Sequence, residues 1–336
     1  MAESLSDYDW KSMNQIDREL FLSRESSDAL KGVLILLVAL GHNHVLCPNT
    51  VGGGWAGYLY TFHVAGFFIL PFFYRRQARA AWTYVRDLVV RNWVPYAWVC
   101  LLCWLAYSVF SWHFSFGWEH IGAFLQGTQT PIRRHFGFVF PWFLPTYCSF
   151  SLLLLVARRW TWARWTLLLL ALPTLAMTWM QFYQFKNAVP FGMGLALYYY
   201  GLGELTRLLN GLGRWARYVG AALFLGVSAC WWAGIPCYHL YAVQPVCFFC
   251  LLLCAEPFLR MGWLRTVGRY SLGIYLFHVF IANLLYYTLP RTLWMGWLGF
   301  GLSVVVSLML TQGIQAWPWL RKCLFPNSWE ELKSIG

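Results

Sequence analysis

Two histidines, His42 and His63, lie deep in apolar stretches of this chain. Ionisable side chains inside hydrocarbon are costly and usually face a bundle interior, so both are candidates for chemistry. A neutral imidazole held there can take a proton from a hydroxyl, which makes general-base work its natural role. His44 follows His42 by two residues, about 200° around a helix, so the two do not readily chelate one metal ion, and no metal is expected. His278, in a later apolar stretch, reads as a packed structural histidine nearer the cytoplasmic side. The other constellation is basic: Arg75, Arg76, Arg79, Arg86 and Arg91, with no lysine among them. A guanidinium is a planar fork that matches phosphate oxygens, so the segment suits a phosphate-rich molecule such as a nucleotide thioester. Asp87 is a candidate ion-pair partner within it. No Walker loop, GxSxG or HExxH motif is present.

The elements that must position these groups follow from composition. Of 336 residues, 59% are hydrophobic, 20% aromatic and only 11% charged. Soluble domains carry roughly 25% charged residues, so this is an all-α polytopic membrane protein rather than a cytosolic enzyme or a secreted disulfide scaffold. About ten spans are expected, near 30–47, 55–74, 88–111, 136–156, 163–182, 188–206, 217–235, 240–258, 270–289 and 294–316, each long enough to cross roughly 30 Å of hydrocarbon. Near-continuous apolar runs favour helices over an alternating barrel. His42 falls about 18 Å into the first span from one side and His63 about 12 Å into the second from the other, so the two imidazoles reach similar depth.

Charge sets the orientation. With both termini cytoplasmic, 21 of the 25 Lys and Arg residues fall on the cytoplasmic side, leaving Arg133, Arg134, Lys186 and Arg291 outside. The net charge of +12 is therefore explained by membrane orientation, and nucleic-acid binding is not expected. Residues 1–29 form a polar cytoplasmic segment, 30–316 the membrane domain and 317–336 a cytoplasmic tail. The acidic first segment does not look like a cleavable signal, and residues 10–21 have the spacing of a short interfacial helix. Most cysteines, including the Cys100-x-x-Cys103 pair, lie inside apolar spans and read as small fillers. The outer connection 112–135, with Trp112, His113, Trp118, His120, Arg133, Arg134 and His135, reads as an interfacial loop anchored by tryptophans or as a sugar-contacting rim.

Several of these segments carry a family resemblance. The run from Arg24 through Asp28, Lys31 and Gly32 to Gly41-His42 resembles the first span of the acyltransferase-3 family of membrane O-acyltransferases. Phe62-His63 with Phe67-Phe68 is similar to its aromatic second span, and Arg91-(x)3-Pro95-Tyr96 to the start of its third. Pro141-Trp142-Phe143-Leu144, Phe191-Gly192-Met193-Gly194 and the stretch from Gly268 through Ser271 and Ile274-Tyr275-Leu276 to His278 resemble later motifs, in order. Two departures stand out: Val64-Ala65 follows the second-span histidine where Met-Pro is usual, and the common Arg-x-x-Arg spacing occurs at Arg76 and Arg79, not at Arg91.

The resemblance implies acetyl-CoA, or another acyl-CoA, as acyl donor on the cytosolic face, held by some of Arg76, Arg79, Arg86 and Arg91. It implies His42 as general base or transient acyl carrier, with His63 orienting it or sharing its proton. The acceptor is then a hydroxyl of an envelope glycan or lipid-linked sugar, and the location a bacterial inner membrane. The rival class is a transporter or flippase without chemistry, for which broken helices and two similar halves would be expected; no internal repeat is visible.

Overall fold

The structure is a computed structural model describing residues 22–48, 55–74, 80–112, 114–177, 179–235 and 243–335. The expected interfacial helix at 10–21, and Arg75, Arg76, Arg79 and His113, lie outside the described residues. Among the described residues every regular element is helical and no strand occurs. In chain order the helices begin with α1 (Arg24–Gly41), α2 (Trp55–Tyr60), α3 (Ala65–Ile69), α4 (Ala81–Ser111), α5 (Trp118–Gln126), α6 (Gln129–Phe136), α7 (Phe143–Arg159) and α8 (Thr161–Ala176). They continue with α9 (Trp179–Ala188), α10 (Met193–Gly211), α11 (Arg214–Trp232), α12 (Gln244–Ala255), α13 (Gly262–Arg269), α14 (Ser271–Thr288), α15 (Leu293–Ala316), α16 (Pro318–Leu324) and α17 (Trp329–Lys333). Among the described residues, four helical stretches are long and apolar enough to cross a membrane: Ala81–Ser111, Phe140–Arg159, Ser271–Thr288 and Leu293–Ala316. Tyr58–Phe73 and Gln244–Phe258 are shorter apolar stretches.

The chain divides into two compact units, Met1–Ala78 with Leu202–Gly313, and Arg79–Gly201 with Ile314–Gly336. In the first, α1 starts on an N-cap in which the Ser23 hydroxyl accepts the Ser26 N–H at 3.1 Å. It ends at Gly41, earlier than the expected 47, because the Asn43 side chain captures the following backbone. Its Oδ1 accepts the N–H groups of Val45 and Leu46 at 3.1 and 3.0 Å, offering the chain a turn in place of further helix. His42 is thus the C-cap, and His44 leaves helical register altogether.

The expected second span is also interrupted. Helix α2 stops at Tyr60, the Thr61 hydroxyl bonds back to the Tyr58 carbonyl at 2.7 Å, and α3 resumes at Ala65 before a 3-10 turn led by Pro71. His63 sits in that break, which the apolar run gave no sign of.

Helix α13 lies against the first half of α1 at backbone contact. A Cβ on Gly268 would fall 1.7 Å from the Asp28 carbonyl oxygen, and one on Gly32 would fall 2.2 Å from that of Leu264. Only glycine permits that approach.

In the second unit α4 keeps Pro95 inside a 31-residue helix, and α7 packs alongside it. The C-terminal segment returns to α4: the Trp98 indole donates to the Cys323 carbonyl at 3.0 Å, and the Trp329 N–H to Asp87 Oδ1 at 3.1 Å. The connection expected on the outer side holds α5 and α6, each closed by a left-handed glycine, Gly127 and Gly137. Trp112 and Trp118 are almost fully exposed, at 89% and 84%. That suits anchoring at an interface better than packing against protein. Cys100 and Cys103 are buried and unbridged, as small fillers would be.

Candidate active site

Three histidines meet in the first unit. His42 caps α1, His63 occupies the break between α2 and α3, and His278 comes from the second turn of α14. His63 and His278 have no exposed surface, whereas His42 is partly accessible. Each ring turns Nδ1 toward the carbonyl four residues earlier: His42 to Val38 at 2.9 Å, His278 to Ile274 at 2.8 Å, and His63 to Leu59. A carbonyl can only accept, so each Nδ1 carries the hydrogen and each neutral ring keeps its lone pair on Nε2.

That assignment fixes the polarity of the closest contact. His278 Nε2 lies 3.3 Å from His42 Nδ1, with the ring centroids 5.1 Å apart. The His42 Nδ1 hydrogen therefore faces two acceptors, Val38 O and His278 Nε2. His42 Nε2 is left as the basic atom, on the one ring of the three that is partly open. When Nε2 gains a proton, both acceptors stabilise the imidazolium, as a third group orients a general base elsewhere.

Tyr60 connects His63 to this pair. Its ring is edge-on to both His42 and His63, with centroids at 6.1 and 5.1 Å, and its hydroxyl donates to the Gly41 carbonyl at 3.2 Å. A Cβ on Gly41 would meet His63 Nε2 at 3.8 Å, so the absent side chain leaves that nitrogen a view of the end of α1. His63 Nε2 is buried and has no hydrogen-bond partner among the described residues. It is an acceptor held in reserve beside His42.

Nothing in the sequence marks Tyr60, and His278, expected as a packed histidine, touches His42 in the structure. The Gly268 contact explains the placement: with Gly268 level with Asp28 and Gly32, a position three turns further along α14 is level with the end of α1. His44 turns away from this group, its ring edge-on to Tyr286 at 5.5 Å. Among the described residues, no group of three or more His, Cys, Asp or Glu is arranged to hold a metal ion.

The arginine positions that are described lie in the second unit. Arg86 Nη2 pairs with Glu330 Oε1 at 3.0 Å, and its Nε is 4.0 Å from Asp87 Oδ1. Arg91 Nε donates to the Asp87 carbonyl at 3.2 Å. Asp87 does partner Arg86, as the spacing led one to expect, but Glu330 of the C-terminal helix is a partner that no local pattern announced.

The motif segment at Phe191–Gly192 contacts both α4 and α7. The Trp93 and Phe191 rings are 6.0 Å apart, and the Ser149 hydroxyl donates to the Phe191 carbonyl at 2.7 Å. A Cβ on Gly192 would fall 2.2 Å from Thr146 Oγ1. Phe191 holds φ at 57°, a left-handed conformation rare for a bulky residue.

An all-helical chain with spanning helices and an imidazole group inside a helical unit has the design of a multi-pass integral membrane enzyme. A family model described as an acyltransferase domain matches residues 24–312. The chain belongs to the acyltransferase-3 family and is an acyltransferase of the membrane. Neither a curated protein nor a solved structure matches it.

Proposed function

We propose that the protein is an O-acyltransferase that moves an acyl group, acetyl in the simplest case, from cytosolic acyl-CoA to a hydroxyl of an envelope glycan or lipid-linked sugar. The observation that carries this reading is the contact between His42 Nδ1 and His278 Nε2, which leaves His42 Nε2 as a poised base. In the proposed step His42 Nε2 takes the hydroxyl proton as the oxygen attacks the thioester carbonyl. The new C–O bond forms, the C–S bond breaks, and the departing thiolate receives the proton from His42. The ester and free CoA leave, and His42 returns to its starting state. A positioned base of this kind contributes about 10²–10⁴-fold.

The 21-to-4 distribution of Lys and Arg supports ten spans with both termini cytoplasmic, which puts Arg76, Arg79, Arg86 and Arg91 on the side where acyl-CoA is found. Arg86 and Arg91 suit the donor's phosphates in charge and geometry. Arg86 must exchange Glu330 for that partner. The reading implies a bacterial inner membrane and no metal.

The test is release of free CoA from acetyl-CoA by the protein in nanodiscs, with and without glycan-lipid acceptors. Acceptor-dependent release, with the ester recovered on the acceptor, supports the proposal. The absence of both CoA release and acetyl-CoA binding would contradict it and favour a carrier without chemistry.

A further inference from the structure

The chain between α12 and α14 runs along one end of the first unit. The apolar stretch Gln244–Phe258 leads into it, and α14, long and apolar enough to cross a membrane, leaves it at Ser271. Helix α13 thus joins two apolar helices, which sets it at the membrane boundary. Its buried side, Leu264, Val267 and Gly268, is the side that touches α1. At about 100° per residue, the other positions follow one another around the opposite face in the order Arg265, Arg269, Thr266 and Trp263.

That face mixes aromatic rings with guanidinium groups. Trp263 is 58% exposed and Phe258, just before the helix, 80%. Rings so exposed gain nothing in water, whereas a bilayer boundary accommodates them among its headgroups and first methylenes. Arg260 and Arg269 are exposed beside them. Arg265 Nη1 meets Glu25 Oε2 at 2.6 Å, which brings the first turn of α1, with the exposed Arg24, to the same face. Glu256 accepts from Arg260 Nε and Nη2 at 2.7 and 3.0 Å. Among the described residues no carboxylate pairs with Arg24 or Arg269, so the surface keeps a positive charge. An amphipathic helix with arginines and a tryptophan on its open face is the kind that lies on anionic lipid.

We propose that the outward face of residues 258–269, together with Arg24, is a docking surface for the anionic phospholipid headgroups of the adjoining leaflet. The arginines hold the headgroup phosphates, and Trp263 and Phe258 lie among the glycerol and first methylene groups. Such a surface is open and takes a headgroup from the bilayer side, with no enclosed cavity. Charge favours this occupant over a second copy of the chain, because a two-fold contact through the same face would set these arginines against one another. The proposal goes beyond acyl transfer and stands whatever reaction the histidines perform.

The test uses the whole protein, delipidated in detergent and followed by native mass spectrometry as phosphatidylglycerol or phosphatidylcholine with the same acyl chains is added. The expected result is saturable retention of phosphatidylglycerol, at least fivefold tighter than that of phosphatidylcholine. An arginine at an anionic lipid surface is worth about fivefold in affinity. Arg24→Gln with Arg269→Gln should therefore weaken retention of phosphatidylglycerol at least tenfold and leave phosphatidylcholine unchanged. Phe258→Ser with Trp263→Ser keeps the charge and should weaken both lipids alike. Arg133→Gln with Arg134→Gln, which removes the same charge from α6 in the second unit, should change neither. Thermal melting confirms that the variants remain folded, and Arg269→Gln alone, with about a fivefold loss expected, carries the comparison if a double variant does not. Equal retention of the two lipids overturns the proposal. So does retention that Arg24→Gln with Arg269→Gln leaves intact, or that Arg133→Gln with Arg134→Gln reduces as much. A dimer that phosphatidylglycerol does not dissociate and Trp263→Ser converts to monomer also overturns it, and assigns the face to a second copy.

Discussion

His278 Nε2 lies 3.3 Å from His42 Nδ1, although the two residues are 236 positions apart in sequence. Because Ile274 O holds the His278 Nδ1 hydrogen, His278 reaches His42 as an acceptor. In the proposed transfer step it acts through His42, as a positioning residue. His278→Leu should lower kcat about tenfold with little change in donor KM, an effect the size of one charge-assisted hydrogen bond. His278→Asn, which can present an amide oxygen, should recover part of the loss. The acid limb of the leucine variant's pH–rate profile should shift toward lower pH, since its His42 imidazolium lacks an acceptor and gives up its proton more readily. Equal kcat and an unmoved profile in both variants would make the contact structural only.

Backbone contact between α1 and α13 sets the level at which His278 meets His42. Gly268→Ala should therefore lower thermal stability by several degrees or prevent accumulation, because the new Cβ has 1.7 Å to the Asp28 carbonyl. Gly262→Ala in the same helix has nothing within 4 Å and should be neutral. Melting of the two variants in detergent is the comparison. Equal stability would show that α13 does not touch α1 as described.

Glu330 competes for Arg86 with any phosphate. Glu330→Gln should lower the KM for acyl-CoA two- to fivefold without raising kcat, as removal of one exposed competing charge would. Arg86→Gln should raise that KM and make Glu330→Gln silent, which a double-mutant cycle reads directly. Additive effects would separate the two residues.

Helices α5 and α6 carry a histidine whose titration is displaced. Burial first, then His120 and the Arg134 guanidinium, hold the His135 pKa below its usual 6.5, with Glu119 opposing. A lowered imidazole pKa means that the opened segment binds the proton more readily than the folded one. The contribution to stability is therefore complete above about pH 6.5 and is lost as pH falls from there through the lowered value. Hydrogen-exchange protection factors across 114–136, which remove the pH dependence of the intrinsic rate, should be lower at pH 5.5 than at pH 7.5, and His135→Gln should reduce the difference. Equal protection factors at both pH values would remove His135 as the cause.

Much of the fold was legible because length and hydropathy report directly on helices: α4, α7, α14 and α15 fall where apolar runs led one to expect them. The breaks were not legible. His63 sits in a gap that a continuous apolar run conceals, and α1 stops early because one Asn side chain outcompetes the next helical turn. That His278 meets His42 was not legible, since its level depends on two glycines touching a neighbouring backbone. Likewise nothing near Arg86 in sequence pointed to its partner Glu330.

The central claim is that His42 Nε2 is the base of acyl transfer, and one comparison tests it most directly. Wild-type protein and His42→Ala, matched for folding by thermal melting and for acetyl-CoA affinity by equilibrium binding, are followed for acceptor-dependent CoA release in nanodiscs. The account predicts that the variant binds donor normally and loses at least about 100-fold in kcat. Retained turnover in a folded His42→Ala protein would contradict it.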